Sequence, residues 1–286
     1  ALRKSRRDEF IHPITQRQLA ELAGISEQML GNIERGNKVV LEPELLLELS
    51  KVLGLSTRER REFLLSAIGI DENESPATQP DANHVFCELF DSLTQIALPA
   101  FIVDSYDDIV AANNIIISLF NFSEELITIA PTIPGGYNVI RFVFSNQSQF
   151  NSLLGMQSEK YLIQCIRFFK AISLPNRADS YYQFLLKSFQ VDRKMALFNK
   201  YFQSEMLDDL QDDYYFEGER FCINHAELGK LDFYSPHLEP VSTNKGNLYL
   251  VVYIPASLPT IQACALFSSQ SHPGARKLAP WPEKKF

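Results

Sequence analysis

Gln28 and Asn32 are four residues apart in the stretch ITQRQLAELAGISEQMLGNIERGN (Ile14–Asn37). On a helix that spacing puts both side chains on one face, one turn apart. A carboxamide can donate to and accept from the exposed edge of adenine at the same time, and Glu27 beside them can accept from cytosine N4. A bidentate contact of this kind discriminates bases by about 1–3 kcal/mol. Around the pair, Gln16 at a preceding helix start and Arg35 and Lys38 near the far end are candidates for phosphate, as are Arg3, Lys4, Arg6 and Arg7. Gly31 costs a helix about 1 kcal/mol relative to alanine, a cost that makes sense where the backbone must come close to something. By spacing alone, a helical hairpin with a solvated polar face remains open.

The elements that would hold these side chains are marked by their ends. Thr15-x-x-Gln18 is a capping box, and Leu19, Leu22 and Ala23 form the apolar face that follows it. Gly24 stops that helix, Ile25 plugs the core and Ser26 caps the next helix, which turns Met29, Leu30 and Ile33 inward and ends at Gly36. Pro43 opens a third helix that Gly54 closes, and Ser56-x-x-Glu59 is a second capping box. The short turn LAGIS, with small Ala20 at the crossing, gives the geometry by which a second helix enters the major groove.

The chain of 286 residues has a formal net charge of −8, which argues against nucleic acid until it is divided. Residues 1–70 carry 11 basic and 10 acidic residues, and residues 71–286 carry 16 and 25. Only Phe10 and Phe63 of the 33 aromatic residues precede residue 71. Two compositions this different imply two domains. The acidic, proline-containing GIDENESPATQPDAN (Gly69–Asn83) reads as the join, with a linker at 71–83 and a second domain at 84–267. The last stretch, 268–286, reads as a flexible tail. In the second domain, PAFIVDSYDDIVAANN reads as strand, polar turn, strand; helical segments follow to about residue 213, and β-rich segments close the domain. The expected fold class is an all-α helix-turn-helix domain followed by an α+β domain, an antiparallel sheet with a helical insertion.

No apolar run is long enough for a membrane span, and the basic N-terminus has no signal-peptide core, so a cytoplasmic location is expected. Four cysteines at least 42 residues apart and five scattered histidines give no metal-ligand spacing. The pairs Asp107-Asp108, Asp208-Asp209 and Asp212-Asp213 read as solvated turns or helix ends. No phosphate loop or nucleophile elbow occurs. These readings assign no catalytic residue, no metal and no required cofactor, and an enzyme is not expected.

The pattern T-Q-x-x-L-A-x-x-x-G-I-S-x-x-x-L-x-x-I-E-x-G, from Thr15 to Gly36, resembles the XRE (phage-repressor-like) helix-turn-helix family. That resemblance implies base reading by Gln28 and Asn32 with Glu27 beside them, a phosphate contact at Gln16, and a fold-supporting role for Glu34. Extra residues precede Thr15 relative to the shortest members. PAFIVDSYDDIVAANN, YNVIRFVFS and NHAELGKLDFYSPHLEP…LYLVVYIPAS resemble the MmyB-like, PAS-like ligand-binding domain, with alanine at "AANN" where tryptophan is frequent. This second resemblance implies a regulator whose C-terminal domain takes a small apolar ligand, a fatty acid first among the candidates. Candidate lining residues are Phe101, Ile117, Phe120, Phe142, Phe144, Phe168, Phe233 and Tyr234, although for each one alone plain core is the more ordinary role. Asn113 or Arg141 could orient a carboxylate, although Arg141 could also serve a structural ion pair or the surface. The expected partners are double-stranded DNA, the apolar ligand and a second copy of the chain, since a homodimer matches a two-fold operator. An alternative is a regulator whose C-terminal domain only dimerises or binds a protein.

Overall fold

Thr15 accepts a hydrogen bond from the Gln18 backbone N–H while the Gln18 side chain accepts from the Thr15 N–H, so the capping box is closed from both sides. The structure, a computed structural model, describes residues 2–5, 13–37, 41–68, 79–133, 135–145, 159–203, 219–235, 240–270 and 273–284. Its chain divides into two compact units, Ala1–Ser75 and Pro76–Phe286. Among the described residues, no helix is long and apolar enough to cross a membrane.

The first unit is helical: α1 (Leu2–Ser5), α2 (Gln16–Leu22), α3 (Glu27–Glu34), α4 (Pro43–Val52) and α5 (Thr57–Ile68). Gly24, at φ +67°, takes the left-handed position that ends α2, and the Ile25 N–H bonds back to the Ala20 carbonyl at 2.9 Å. Ser26 then caps α3 by accepting from the Met29 N–H. Ile14, Leu19, Ala20, Leu30, Leu46 and Leu49 are buried, so the two halves of the turn share one small core. Leu22 departs from the expected apolar face and is 59% exposed. It occupies the last turn of α2, where the chain is already swinging toward α3. Ser56 and Glu59 close the second capping box before α5.

The second unit begins with α6 (Ala82–Gln95), capped by Asp81, so regular structure starts inside the expected 71–83 linker. Strands β1 (Ala100–Asp104) and β2 (Ile109–Asn113) form an antiparallel hairpin. They are followed by α7 (Asn114–Leu119), α8 (Glu124–Ile129), α9 (Val139–Phe144), α10 (Glu159–Ile172), α11 (Ser180–Val191) and α12 (Ala196–Phe202). The chain then returns to strands: β3 (Glu219–His225), β4 (Gly229–Ser235), β5 (Val241–Thr243), β6 (Gly246–Val252) and β7 (Ile254–Pro255). Helix α13 (Leu258–Gln270) and β8 (Ala275–Lys277) end the regular structure. One antiparallel sheet has the order β5-β6-β1-β2-β8, and a second has the order β3-β4-β7. This is a mixed α+β region of antiparallel sheets and helices, the expected class.

Every residue of β1 and β2 is buried, because both faces of the hairpin are covered. Ala100, Ile102, Val110 and Ala111 pack toward Phe86 and Leu93 of α6. Phe101, Val103, Ile109 and Ala112 face an aromatic core shared with Phe221, Phe233 and Tyr249. A separate core lies among α9–α12, where Phe144, Phe169, Phe189 and Phe198 meet.

Regular structure reaches into the segment expected as a flexible tail. Helix α13 runs to Gln270, and β8 pairs with β2 through Ala111↔Lys277 and Asn113↔Ala275. Trp281 packs on Phe86 with ring centroids 5.7 Å apart, and the Lys284 ammonium is buried against Asp104 and Asp108. A three-residue strand is too short to show an alternating pattern, so this segment looks featureless in sequence.

Candidate nucleic-acid interface and candidate ligand residues

Helix α3 presents Glu27 and Gln28 to solvent at its first turn, with Asn32 half-buried one turn further on. Their placement follows from the Ser26 cap and from Leu30, which anchors the opposite face. Arg35 is exposed, and its guanidinium donates to the Asn32 side-chain oxygen at 2.8 Å. Gln16 donates to Glu34 at 2.9 Å, and Arg3 donates to the other Glu34 oxygen at 2.7 Å and to the Ile14 carbonyl at 3.1 Å. Glu34 thus ties the starts of α1 and α2 to the end of α3. A Cβ at Gly31 would lie 3.2–3.3 Å from side-chain nitrogens of Arg35 and Gln16. What comes close to the Gly31 backbone in the free chain is therefore its own polar side chains. The structure brings Gln16, Asn32 and Arg35 to one place, with Glu27 and Gln28 a turn away; Lys38 lies outside the described residues, as do Arg6 and Arg7.

A helix-turn-helix family profile, HTH_3, matches residues 14–60. Residues 14–60 are an XRE-type helix-turn-helix domain. Such a domain binds DNA and implies transcriptional regulation. The match covers α2 to the start of α5 and does not extend into the second unit. No curated protein sequence matches the chain.

In the second unit the expected ligand residues do not form one group. Phe101 and Phe233 are buried in the aromatic core, while Ile117, Phe120, Phe142 and Phe168 are half-buried against it. Phe144 belongs to the separate helical core. Tyr234 follows Phe233 on β4 and so points to the opposite face, where it is 40% exposed; it cannot line the same space. Asn113 is not free to orient a ligand. Its oxygen accepts from the Ile116 and Ala100 N–H groups, and its amide donates to the Ile96 and Leu98 carbonyls. It caps α7 and fixes the approach to β1. Arg141 donates to the Gly135 carbonyl at 3.0 Å and lies 5.4 Å over the Phe189 ring, on the helical-core side. Burial lowers its basicity, opposed by the charges of Asp192 and Asp108.

The turn that sequence reading treats as solvated is buried. Asp104, Asp107 and Asp108 are each no more than 2% exposed. Asp104 accepts from the Tyr106 and Asp108 N–H groups at 2.9 and 3.1 Å and contacts Lys284. Asp108 accepts from Asn138 at 2.9 Å, Tyr181 at 2.6 Å and Lys284 at 2.8 Å. Burial raises the Asp104 carboxyl to about 6 in spite of Lys284, while Lys284, held by both aspartates, stays above the ordinary lysine value although burial alone would lower it. Only the distant partners Asn138, Tyr181 and Lys284, 30 to 176 residues away, distinguish this cluster from a solvated acidic turn. Cavities lie among the described residues of this unit, one of them bordering this cluster. One of about 420 Å³ is lined by Asp81, Asn244, Lys245 and Trp281, and one of about 10 Å³ by Asp108, Gly135, Tyr181 and Lys284.

Proposed function

We propose that the protein is a sequence-specific transcription regulator that reads DNA bases with Gln28 and Asn32, assisted by Glu27, and phosphates with Gln16, Arg35 and Lys38. Its C-terminal unit is the sensing part, taking a small apolar ligand into the aromatic core, and its cellular setting is the cytoplasm. The resemblance of that unit to the MmyB-like domain makes a fatty acid the first candidate. The observation that carries the reading is the exposed α3 surface beside a Glu34-centred brace that already gathers the α1, α2 and α3 ends. Preorganised polar groups lose less freedom on meeting DNA. Gln28→Ala and Asn32→Ala are expected to lose sequence preference while keeping weak, salt-sensitive binding, read by titrating operator and random duplexes at two salt concentrations. Retention of wild-type preference by both variants contradicts the assignment.

A second reading, dimerisation as the role of the C-terminal unit, is favoured by α13. The helix has no charged residue, and Leu258, Ile261 and Leu266 are exposed on it. Exposed Ile254 precedes the helix in β7, where it pairs with Tyr234. On a chain of net charge −8, an uncharged apolar face can meet its own copy without like-charge repulsion, and we assign it to a second copy. Ligand sensing and dimerisation are separated by native mass spectrometry before and after denaturation. A small molecule released on denaturation supports the first reading, and a ligand-free dimer supports the second.

A further inference from the structure

Residues 280–284 are held to the second unit by side chains rather than by their backbone. Up to Ala279 the chain is laced to β2: the Leu278 N–H donates to the Val110 carbonyl at 2.9 Å and the Ala279 N–H to the Ile109 carbonyl at 3.0 Å. Beyond it, Pro280 and Pro282 have no N–H to give, and among the described residues Trp281, Glu283 and Lys284 make no backbone hydrogen bond. Two anchors stand out, the Trp281 ring on Phe86 and the Lys284 ammonium on its aspartates. The same segment walls the cavity of about 420 Å³ through Trp281 and Pro282, and the one of about 10 Å³ through Lys284. A stretch with so few backbone bonds opens locally at lower cost than a strand does.

Where Lys284 lands is a complete receptor for an ammonium. Its Nζ lies 2.8 Å from Asp108 Oδ2 and in ion contact with Asp104 Oδ2, which has no other donor. The rings of Tyr181 and Tyr106 face it with centroids at 5.4 and 5.7 Å, and they meet each other edge-on at 5.0 Å. These receptor groups are fixed without Lys284. Asp104 accepts from the Tyr106 and Asp108 N–H groups through its other oxygen, Asp108 accepts from Asn138 and Tyr181, and Tyr106 donates to Asp179. Two carboxylates and two ring faces exceed what one structural cation needs. A buried ion pair is also a weak device for stability, since apolar side chains of similar volume in its place are often neutral or better. A fixed site filled from a segment tied by side chains is one that a free ligand of the same chemistry can enter.

We propose that Asp104, Asp108, Tyr106 and Tyr181 form a binding site for a small primary alkylammonium, that Lys284 occupies it in the ligand's place, and that residues 280–284 are a strap which leaves when a free amine takes over. A primary ammonium fits and a quaternary one does not, because both carboxylates need N–H donors and the space Lys284 vacates is that of an unbranched methylene chain. The site is separate from the aromatic core and does not rest on the apolar-ligand reading above.

Trp281, the chain's single tryptophan and the strap's other anchor, reports the opening. The test titrates the full chain with n-butylammonium, which reproduces the lysine side chain, against tetramethylammonium at equal ionic strength, and reads acrylamide quenching of Trp281. We expect n-butylammonium to raise the quenching constant roughly twofold by trapping the open strap, and tetramethylammonium to leave it unchanged. Lys284→Ala should raise quenching without any amine. In that variant n-butylammonium, at about ten times its dissociation constant, should lift the melting temperature by roughly 3–5 °C, and tetramethylammonium should not. Wild-type quenching that n-butylammonium leaves unchanged, or that both cations raise alike, overturns the proposal. So does folded Lys284→Ala in which Trp281 is as shielded as in the wild type, or in which n-butylammonium gives no lift. If Lys284→Ala does not fold, the wild-type titration alone decides.

Discussion

Gly31 is a residue whose local conformational cost has to be explained by what surrounds it. At Gly31, alanine would gain helix propensity worth about 1 kcal/mol, yet its methyl would press on the movable ends of Gln16 and Arg35. Gly31→Ala should therefore raise the melting temperature of the first unit and weaken DNA binding, because both displaced side chains are candidate phosphate contacts. Equal DNA affinity would remove Gln16 and Arg35 from the interface. Glu34→Ala releases Gln16 and Arg3 together; the groups are partly exposed, so a loss of about 1 kcal/mol or less is expected in chemical denaturation. Asp104 supplies a pH signature. Its folded value of about 6 lies above its ordinary 3.8, so the folded chain holds a proton that the unfolded chain has released. The contribution of this group is full below 3.8 and is lost as pH rises through about 6. Asp104→Asn should flatten that part of the melting-temperature profile, and an unchanged slope would contradict the burial.

Among the elements, the segment 273–284 adds the edge strand β8 to the sheet and buries Lys284. Lys284 lies between two buried carboxylates, and Lys284→Ala leaves both uncompensated, an effect of about 3–5 kcal/mol on the unfolding of the second unit. Thermal unfolding of that variant beside a chain ending at Gln270 should give comparable losses; a wild-type melting temperature for either contradicts the role given to the segment. Elements whose signals are local were legible in the sequence. Thr15 and Gln18, Ser26, Gly24 and Gly36 mark the ends of α2 and α3 by chemistry spanning at most three residues, and DSYDD marks its own turn. Elements defined by distant partners were not. Nothing near Asp108 announces Tyr181 or Lys284, and Phe144 and Phe101 look alike in sequence although they belong to different cores. Asn113 reads as a polar residue in an apolar stretch whether it meets a ligand or, as here, four backbone groups.

For the molecule as a whole, the charge that argues against DNA is confined to residues 71–286, and residues 14–60 are the helix-turn-helix domain. A short recognition helix reads few bases, so specificity in a large genome calls for two copies on a two-fold site. The central claim is that α3 reads sequence through Gln28 and Asn32. Its most direct test is selection of duplexes from a random pool by the full chain and by the Gln28→Ala, Asn32→Ala double variant. The account predicts a two-fold sequence enriched by the wild-type chain and not by the variant. The same sequence enriched by both, or none enriched by the wild-type chain, would contradict it.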